Sequence, residues 1–530
     1  CLMSFGRYGD SSRERGSGGM HSTSVSPVAT PDVIQQICAE SDTPVVQSEG
    51  ADDNNNGDDA NGQDGDENNN TTCIQEVDSE EQVSRYPVRE RHPPGQWWIA
   101  SRQIETDQGN ERNAFHAMSS DPVTYKDACN SADAESWMKA IEEEYNSLIK
   151  HDVWELTDLP EGRRPIGCKW IFKTKFNADG SIARYKARLV AKGYNQELGI
   201  DYQEVFAPVV KYVSLRVLMA IAANQQWHIH QLDVDTAFLY APVDEEIYMD
   251  QPEGFIKEAP SGRKLVCRLK KSLYGTKQAP RNWNGTLHAW LSDFGFERSL
   301  ADPGIYVYYK NGNHYLLAVY VDDMIITGKD ISWIRSFKDA IQVQFQIKDL
   351  GQVKWVLGIG VEIGKKQISI NQSKYIDDML SRFNLTDCKI ALTPKTTGKF
   401  DENNENWLDN QQSALYRSII GSLLYAAVCS RPDISYAVGN LIRYMAHPQM
   451  QHLTAAKRVL RYLKGSRCCG PSFSATSKTV SLTGYCDADW AGDSERHLST
   501  SGYLFTLNGS PVSWKSKLQS TVVLSTAEAE

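Results

Sequence analysis

The sequence predicts a mixed α+β fold preceded by a long segment that cannot build a core. Three observations point that way. Beyond residue 120, apolar residues recur at three- and four-residue spacing in some stretches and fill short β-branched runs in others, so helices and strands should be interspersed. With 530 residues, 41% hydrophobic and 10% aromatic, the chain has material for several domains. Residues 1–120, by contrast, hold twenty-one acidic side chains against eight Arg and no Lys, and include GADDNNNGDDANGQDGDENNN, which has little to bury. That composition predicts a disordered acidic linker over 1–120. The whole chain carries −11, so the remainder is close to neutral and the acidity says little about the folded part's partners.

Eleven cysteines are scattered without a CxxC pair or zinc-finger spacing, which predicts reduced thiols. The sequence has no run of eighteen apolar residues and no signal peptide, so a soluble, non-secreted chain without a membrane partner is expected. It starts at Cys1 rather than Met, the mark expected of a piece of a larger polyprotein.

The elements follow in order. SRYPVRERHPPGQWW, residues 84–98, is short, basic and Pro-rich; it suits contact with nucleic acid or a solvated linker end. Trp137, Ile141, Tyr145 and Leu148 then mark an amphipathic helix. GCKWIFKTKFNADGSIARYKARLVAKGYNQ predicts two basic strands joined by a turn at Asn177 to Gly180, either a solvated hairpin or a flap whose Lys and Arg grip phosphates. Leu215 to Ala223 reads as a buried helix, and Ile229 to Leu239 as a strand carrying Asp233 and Asp235 on one face. Gly275 suits a turn or close approach, and Pro280 suits the first turn of a helix whose apolar stripe is Trp283, Leu287, Trp290, Leu291 and Phe294. HLTAAKRVLRYLKG predicts a helix with Leu453, Ala456, Leu460 and Leu463 inward and Lys457, Arg458, Arg461 and Lys464 nearby, a face for a duplex backbone or for water.

The chemistry starts at LLAVYVDDMIITG, where Asp322 and Asp323 interrupt a strand-like run. Asp is at home in tight turns, so a plain hairpin tip would explain it. Two like charges roughly 4 Å apart nevertheless repel by about 4 kcal/mol at an effective dielectric near 20. A bound divalent cation would offset that cost, and Asp233 with Asp235, also in apolar company, would be a second acidic site able to supply further oxygen ligands.

QLDVDTAFL, SLYGTKQAPRNW, YVDD, LGIGVEI, YRSIIGSLLYAAVCSRPDI and GYCDADWAGD, in this order, resemble the reverse transcriptase and the start of the RNase H of copia-type long-terminal-repeat retrotransposon Pol polyproteins, from about Asp121 to Glu530. The resemblance implies a right-hand polymerase: fingers and palm over 121–370, a thumb or connection region over 371–480, and the N-terminal part of a truncated RNase H-like α/β domain over 481–530. It implies Asp233, Asp322 and Asp323 as catalytic carboxylates holding two Mg²⁺, or Mn²⁺, ions. Phe238 would lie beneath the incoming sugar; Gly275, Gln278 and Pro280 would line the nascent base pair. Arg184, Lys186 and Arg188 would grip the triphosphate, and Leu357, Gly358 and Ile359 would form the primer grip. Asp487 and Glu530 would be the first RNase H carboxylates, with RNase H activity expected to be lacking. Thr276, Asn284 and the extra Gly in LGIGVEI depart from the family pattern. The implied partners are an RNA template, a DNA or RNA primer, deoxynucleoside triphosphates and other parts of the Gag and Pol polyproteins. The implied location is a cytoplasmic virus-like particle and then the nucleus. A catalytically inactive relic that retains only nucleic-acid binding is the alternative.

Overall fold

The computed structural model describes residues 21–24 and 121–530, apart from 177–180, 261, 396–397, 399, 402–403, 476–479 and 494–495. Most of the expected acidic linker, the basic 84–98 stretch and the Asn177 to Gly180 turn therefore lie outside the described residues. The chain divides into two compact units. One contains 138–171 and 187–530, with His21–Ser24; the described part of the other is 121–137 and 172–186.

The smaller unit holds the outer halves of the basic strands Cys168–Phe176 and Ile182–Ala191 and the short helix Tyr125–Asn130. Thr124 caps that helix in a reciprocal box with Asp127, satisfying end N–H groups that would otherwise be unpaired. Trp137 packs edge-on against Phe172 and Tyr185, and Asp121 accepts from the Thr174 backbone N–H at 2.9 Å and pairs with Lys173 at 3.1 Å.

The larger unit is built on a six-stranded sheet in the order Ile347–Gln352, His228–Val234, Asp323–Gly328, Asn313–Tyr320, Ile305–Lys310, Glu297–Arg298. Side chains alternate across it as a pleated strand requires. Leu316, Ala318 and Ile325 join the core around helix Tyr212–Gln225, whereas Leu317, Val319, Met324 and Ile326 face the helices Ala279–Phe294 and Ile331–Gln344. Helix Tyr212–Gln225 is mostly apolar and almost wholly buried, as expected of Leu215 to Ala223, and its buried Arg216 bonds the Val512, Val428 and Cys429 carbonyls. In Ala279–Phe294, Pro280 sits in the first turn, where its missing N–H costs nothing, and Trp283, Leu287 and Leu291 are buried.

One strand differs from expectation. The predicted Ile229 to Leu239 strand ends at Val234, because Thr236 turns the chain with φ of +52° and Ala237–Tyr240 forms a 3₁₀ turn. Asp235 therefore does not share a strand face with Asp233.

Beyond this sheet, Trp355–Val356, Ile359–Ile363, Gln367–Asn371 and Ser472–Ser474 form a four-stranded sheet. Helices Asn410–Cys429, Ser435–Ile442 and Met450–Gly465 enclose their own core, with Leu453, Ala456, Leu460 and Leu463 inward. Three of the four basic residues of that helix bond within the protein: Arg458 to Thr393 Oγ1 at 2.9 Å, Arg461 to the Lys389 carbonyl at 2.7 Å, and Lys464 to the Cys388 carbonyl at 2.7 Å, while Lys457 is exposed. Part of the face expected to meet a duplex or water thus also holds the 388–393 segment.

Strands Leu482–Ala488, Thr500–Leu507 and Ser510–Leu518 form the last sheet, with His21–Ser24 paired antiparallel to the first of them. That short strand departs from the expected structureless 1–120; edge pairing through backbone groups needs no apolar side chains. The eight described cysteines are free, and no helix among the described residues is long and apolar enough to cross a membrane.

Candidate active site

The hairpin Asn313–Tyr320 and Asp323–Gly328 closes with Tyr320 opposite Asp323, leaving a two-residue turn of Val321 and Asp322. Strand His228–Val234 runs antiparallel beside it, with Asp233 directly opposite Asp323. Two carboxylates 90 residues apart in sequence thus meet as a cross-strand pair, next to the Asp322 turn. Directly opposite positions in such a pair have Cβ atoms about 5 Å apart, so like charges there repel.

The turn itself is strained. Val321 has φ of +57°, a left-handed conformation that disfavours a β-branched side chain by about 1–3 kcal/mol. Both of its carbonyls are held: Trp283 Nε1–H donates to the Val321 oxygen at 2.8 Å, and the Val234 N–H donates to the Asp322 oxygen at 3.0 Å.

Asp323 and Asp233 each also have a protein partner. Gln231, on the same strand face as Asp233, donates through Nε2 to Asp323 Oδ1 at 3.1 Å. Burial pushes the Asp323 carboxyl above its ordinary range; the Gln231 bond pulls it down, and the charges of Asp322 and Asp233 add to the rise. On the other flank Lys348 stands opposite Asp233 in the sheet, with its ammonium paired to Asp235 and 3.8 Å from an Asp233 oxygen. Among the described residues, no three His, Cys, Asp or Glu side chains are already gathered into a metal-holding group. The donors nevertheless suit a hard divalent cation, because they are all oxygen and their repulsion at Asp323 is what such an ion relieves.

Phe238, in the 3₁₀ turn after Asp233, meets Tyr274 edge-on at 5.0 Å, and the Arg188 guanidinium lies 4.6 Å from the centre of the same Tyr274 ring. Burial, with Asp322 and Asp233 among the contributing charges, pushes the Tyr274 hydroxyl up to about 12. Tyr274 thus lies between Phe238 and Arg188, with the carboxylates acting on its hydroxyl. Arg184 and Lys186 belong to the smaller unit, Arg184 exposed and Lys186 half-buried.

Gly275 and Gln278 have structural commitments. Gly275 has φ of +93°, and a Cβ there would stand 2.2 Å from the Ala191 carbonyl oxygen, so only glycine allows these segments to cross. Gln278 is fully buried: its Nε2 donates to the Asp201 carbonyl and to Glu245, and its Oε1 accepts from Gln196. Two of the three departures from the family pattern, Thr276 and Asn284, are accommodated. Thr276 bonds the Leu273 carbonyl at 2.8 Å, and Asn284 accepts from Arg298 at 2.6 Å.

Leu357 and Gly358 form another two-residue turn between Val356 and Ile359, both with positive φ. Asp487 is exposed on strand Leu482–Ala488, and Glu530 is the exposed C-cap of the short helix Thr526–Ala529.

Sequence reasoning missed Gln231, Tyr274, Lys348 and the hydrogen bond of Trp283. Gln231 could have been found, being two residues before Asp233 on a strand. Lys348, over one hundred residues away, left no such signal.

Residues 151–397 match the family model described as Reverse transcriptase (RNA-dependent DNA polymerase). The putative transposon Ty5-1 protein of Saccharomyces cerevisiae is 35% identical over 303 residues, which are 56% of this chain and 96% of that protein. The Retrovirus-related Pol polyprotein from transposon TNT 1-94 of Nicotiana tabacum is 41% identical over 418 residues, 77% of this chain. The chain belongs to the reverse transcriptase family of copia-type Pol polyproteins. Its similarity to the transposon RE2 polyprotein of Arabidopsis thaliana is 42% identity over 78% of the chain. This reverse transcriptase chain spans only 31% of the TNT 1-94 polyprotein and 28% of the RE2 polyprotein.

Proposed function

We propose that the chain is an RNA-directed DNA polymerase that extends a DNA or RNA primer along an RNA template with deoxynucleoside triphosphates. The observation that carries the reading is the cross-strand pairing of Asp233 with Asp323 beside the Asp322 turn, inside a reverse transcriptase sequence. Asp233, Asp322 and Asp323 would hold two Mg²⁺ ions, or Mn²⁺ in their place, which supply the charge that acidifies the primer hydroxyl and neutralises the triphosphate. Phe238 would select deoxyribose by leaving no room for a 2′-hydroxyl, a steric rejection, with Tyr274 backing its ring. Arg188, stacked on Tyr274, would contact the triphosphate, joined by Arg184 and Lys186. Gly275, Gln278 and Pro280 would shape the nascent base-pair pocket from behind, and Leu357, Gly358 and Ile359 would position the primer.

In this reading 121–370 are fingers and palm, 371–480 the thumb or connection region, and 481–530 the start of an RNase H-like domain with Asp487 and Glu530 as its first carboxylates. The enzyme would act with other parts of its Gag and Pol polyproteins in a cytoplasmic particle before nuclear entry.

Primer extension by the purified chain beside Asp322→Asn tests the chemistry. Extension by the wild type and its loss in the variant is expected; equal extension by both would refute the assignment. A second reading, a relic that binds nucleic acid without incorporating nucleotides, draws on Thr276, Asn284 and the extra Gly of LGIGVEI, which depart from the family pattern. Template binding by the wild type with no incorporation would favour it.

A further inference from the structure

We propose that Trp283 is a positioning residue for the Val321-Asp322 turn, and that its indole N–H, more than its apolar ring, is what that turn requires. The proposal rests on the polymerase reading for its consequence in catalysis, but not for the hydrogen bond itself.

A two-residue turn must carry Asp322 out of the sheet between Tyr320 and Asp323, and its first residue adopts φ of +57°. Glycine, asparagine or aspartate takes that conformation readily; valine, branched at Cβ, does not. A backbone held in a disfavoured region persists only where its surroundings over-determine it. Here two donors do so. Val234 N–H takes the Asp322 carbonyl, and Trp283 Nε1–H takes the Val321 carbonyl. The first comes from the neighbouring strand, but the second comes from a different element, helix Ala279–Phe294.

The surroundings make the second bond specific. Trp283 is 1% exposed and lies in an aromatic cluster, 5.2 Å from Phe345 and 6.3 Å from Tyr240. Packing on that cluster fixes the ring plane and so aims the N–H. Indole nitrogen is a donor only, so its proton cannot be traded for another arrangement. Trp283 touches neither substrate nor reacting atoms in this account; it acts through Val321 on the carboxylate next to it.

If the N–H offsets the strain of Val321, removing the strain must weaken the need for the N–H. A double-mutant cycle reads that coupling. Trp283→Phe keeps an aromatic ring and loses the donor; Val321→Gly accepts positive φ freely. Single-turnover extension at saturating nucleotide should slow roughly tenfold in Trp283→Phe, the loss of one buried hydrogen bond to a half-buried carbonyl, with the KM for nucleotide little changed. The same substitution in the Val321→Gly background should slow it by about threefold or less. Equal factors in the two backgrounds, or a wild-type rate in Trp283→Phe, would overturn the proposal.

Melting temperatures of the four proteins provide a readout that needs no turnover. Trp283→Phe should lower the melting temperature less when residue 321 is glycine, and equal drops would again overturn the proposal. Amide exchange supplies a further check should the double variant fold poorly: in Trp283→Phe alone, a peptide spanning 320–323 should exchange faster while helix 279–294 does not, whereas unchanged exchange at 320–323 would count against the bond. A wild-type protein that extends no primer would refute the polymerase reading, yet leave the melting cycle and exchange free to decide the turn.

Discussion

Two hairpin turns in this protein solve one problem with different residues. At Val321-Asp322 and at Leu357-Gly358, a non-glycine residue opens a two-residue turn with positive φ, +57° and +47°. In each, the carbonyl of that residue accepts a hydrogen bond from a distant aromatic side chain: Trp283 Nε1 at 2.8 Å in the first, Tyr425 Oη at 2.6 Å in the second. The difference lies in the second position. Gly358 takes φ of +74°, as the glycine of a hairpin turn should, whereas the Val321 turn spends its second position on a carboxylate. A strained turn can thus be held from outside, by a side chain delivered from a helix, leaving the turn's own residues free for chemistry.

The largest way to separate the turns is Asp323→Asn. It should cut primer extension by at least about 1000-fold, the scale of losing a charged group from the reacting centre. It should also raise the metal-free melting temperature by on the order of 1–2 °C, because a half-buried carboxylate facing Asp322 and Asp233 is neutralised. For Asp323 the raised folded pKa means that its ionised form opposes folding, so the gain should appear at neutral pH and vanish as pH falls through the folded pKa and the wild-type residue protonates. A variant that extends primers normally would remove the chemical distinction between the turns.

Next is Gly358→Ala. Its Cβ would stand 2.5 Å from the Tyr425 hydroxyl in a backbone region that disfavours side chains, so a loss of about 2–3 kcal/mol in unfolding free energy is expected. Denaturant titration measures it; a loss under half that size would mean that Tyr425 moves aside and does not hold the turn. Tyr425→Phe should cost less, about 1–2 kcal/mol, by stranding the Leu357 carbonyl. If it costs nothing by the same titration, the parallel with Trp283 fails.

The smallest effect sits away from both turns. His452 is buried, stacked on Tyr444 at 3.8 Å, and burial pushes its imidazole down to about 4. A folded pKa below the unfolded one gives stability that is complete above about pH 6.5 and is lost as pH falls toward 4. Melting temperature between pH 7 and 5 should therefore fall less in His452→Gln than in the wild type. Identical profiles would show that His452 does not titrate on unfolding, leaving the comparison of the turns unaffected by acid.

Much of the site was legible in the residues. A pair of acids in a β-branched run has few stable explanations, and the hairpin around Asp322 and Asp323 follows from two strand-like runs meeting at residues suited to a tight turn. The buried helix at Leu215 to Ala223 and the stripe of Trp283, Leu287 and Leu291 follow in the same way. Asp235 was misplaced because a single left-handed residue, Thr236, ended the strand early. The helix at Met450–Gly465 has the apolar face that the sequence implies, and three of its cations also bond the 388–393 segment. Charge patterning shows which way a cation points but not whether a carbonyl of the same chain awaits it.

The sequence by itself determined which segments are strands or helices and which carboxylates could act, because periodicity and the cost of burying charge are local properties. Only the tertiary structure decided that Lys348 neighbours Asp233, that Gln231 bonds Asp323, that Tyr274 gathers Phe238 and Arg188, and that Trp283 holds the Val321 carbonyl. Those contacts depend on which strands lie side by side and how far a side chain reaches. Directional bonds between residues far apart in sequence leave no periodic trace along it.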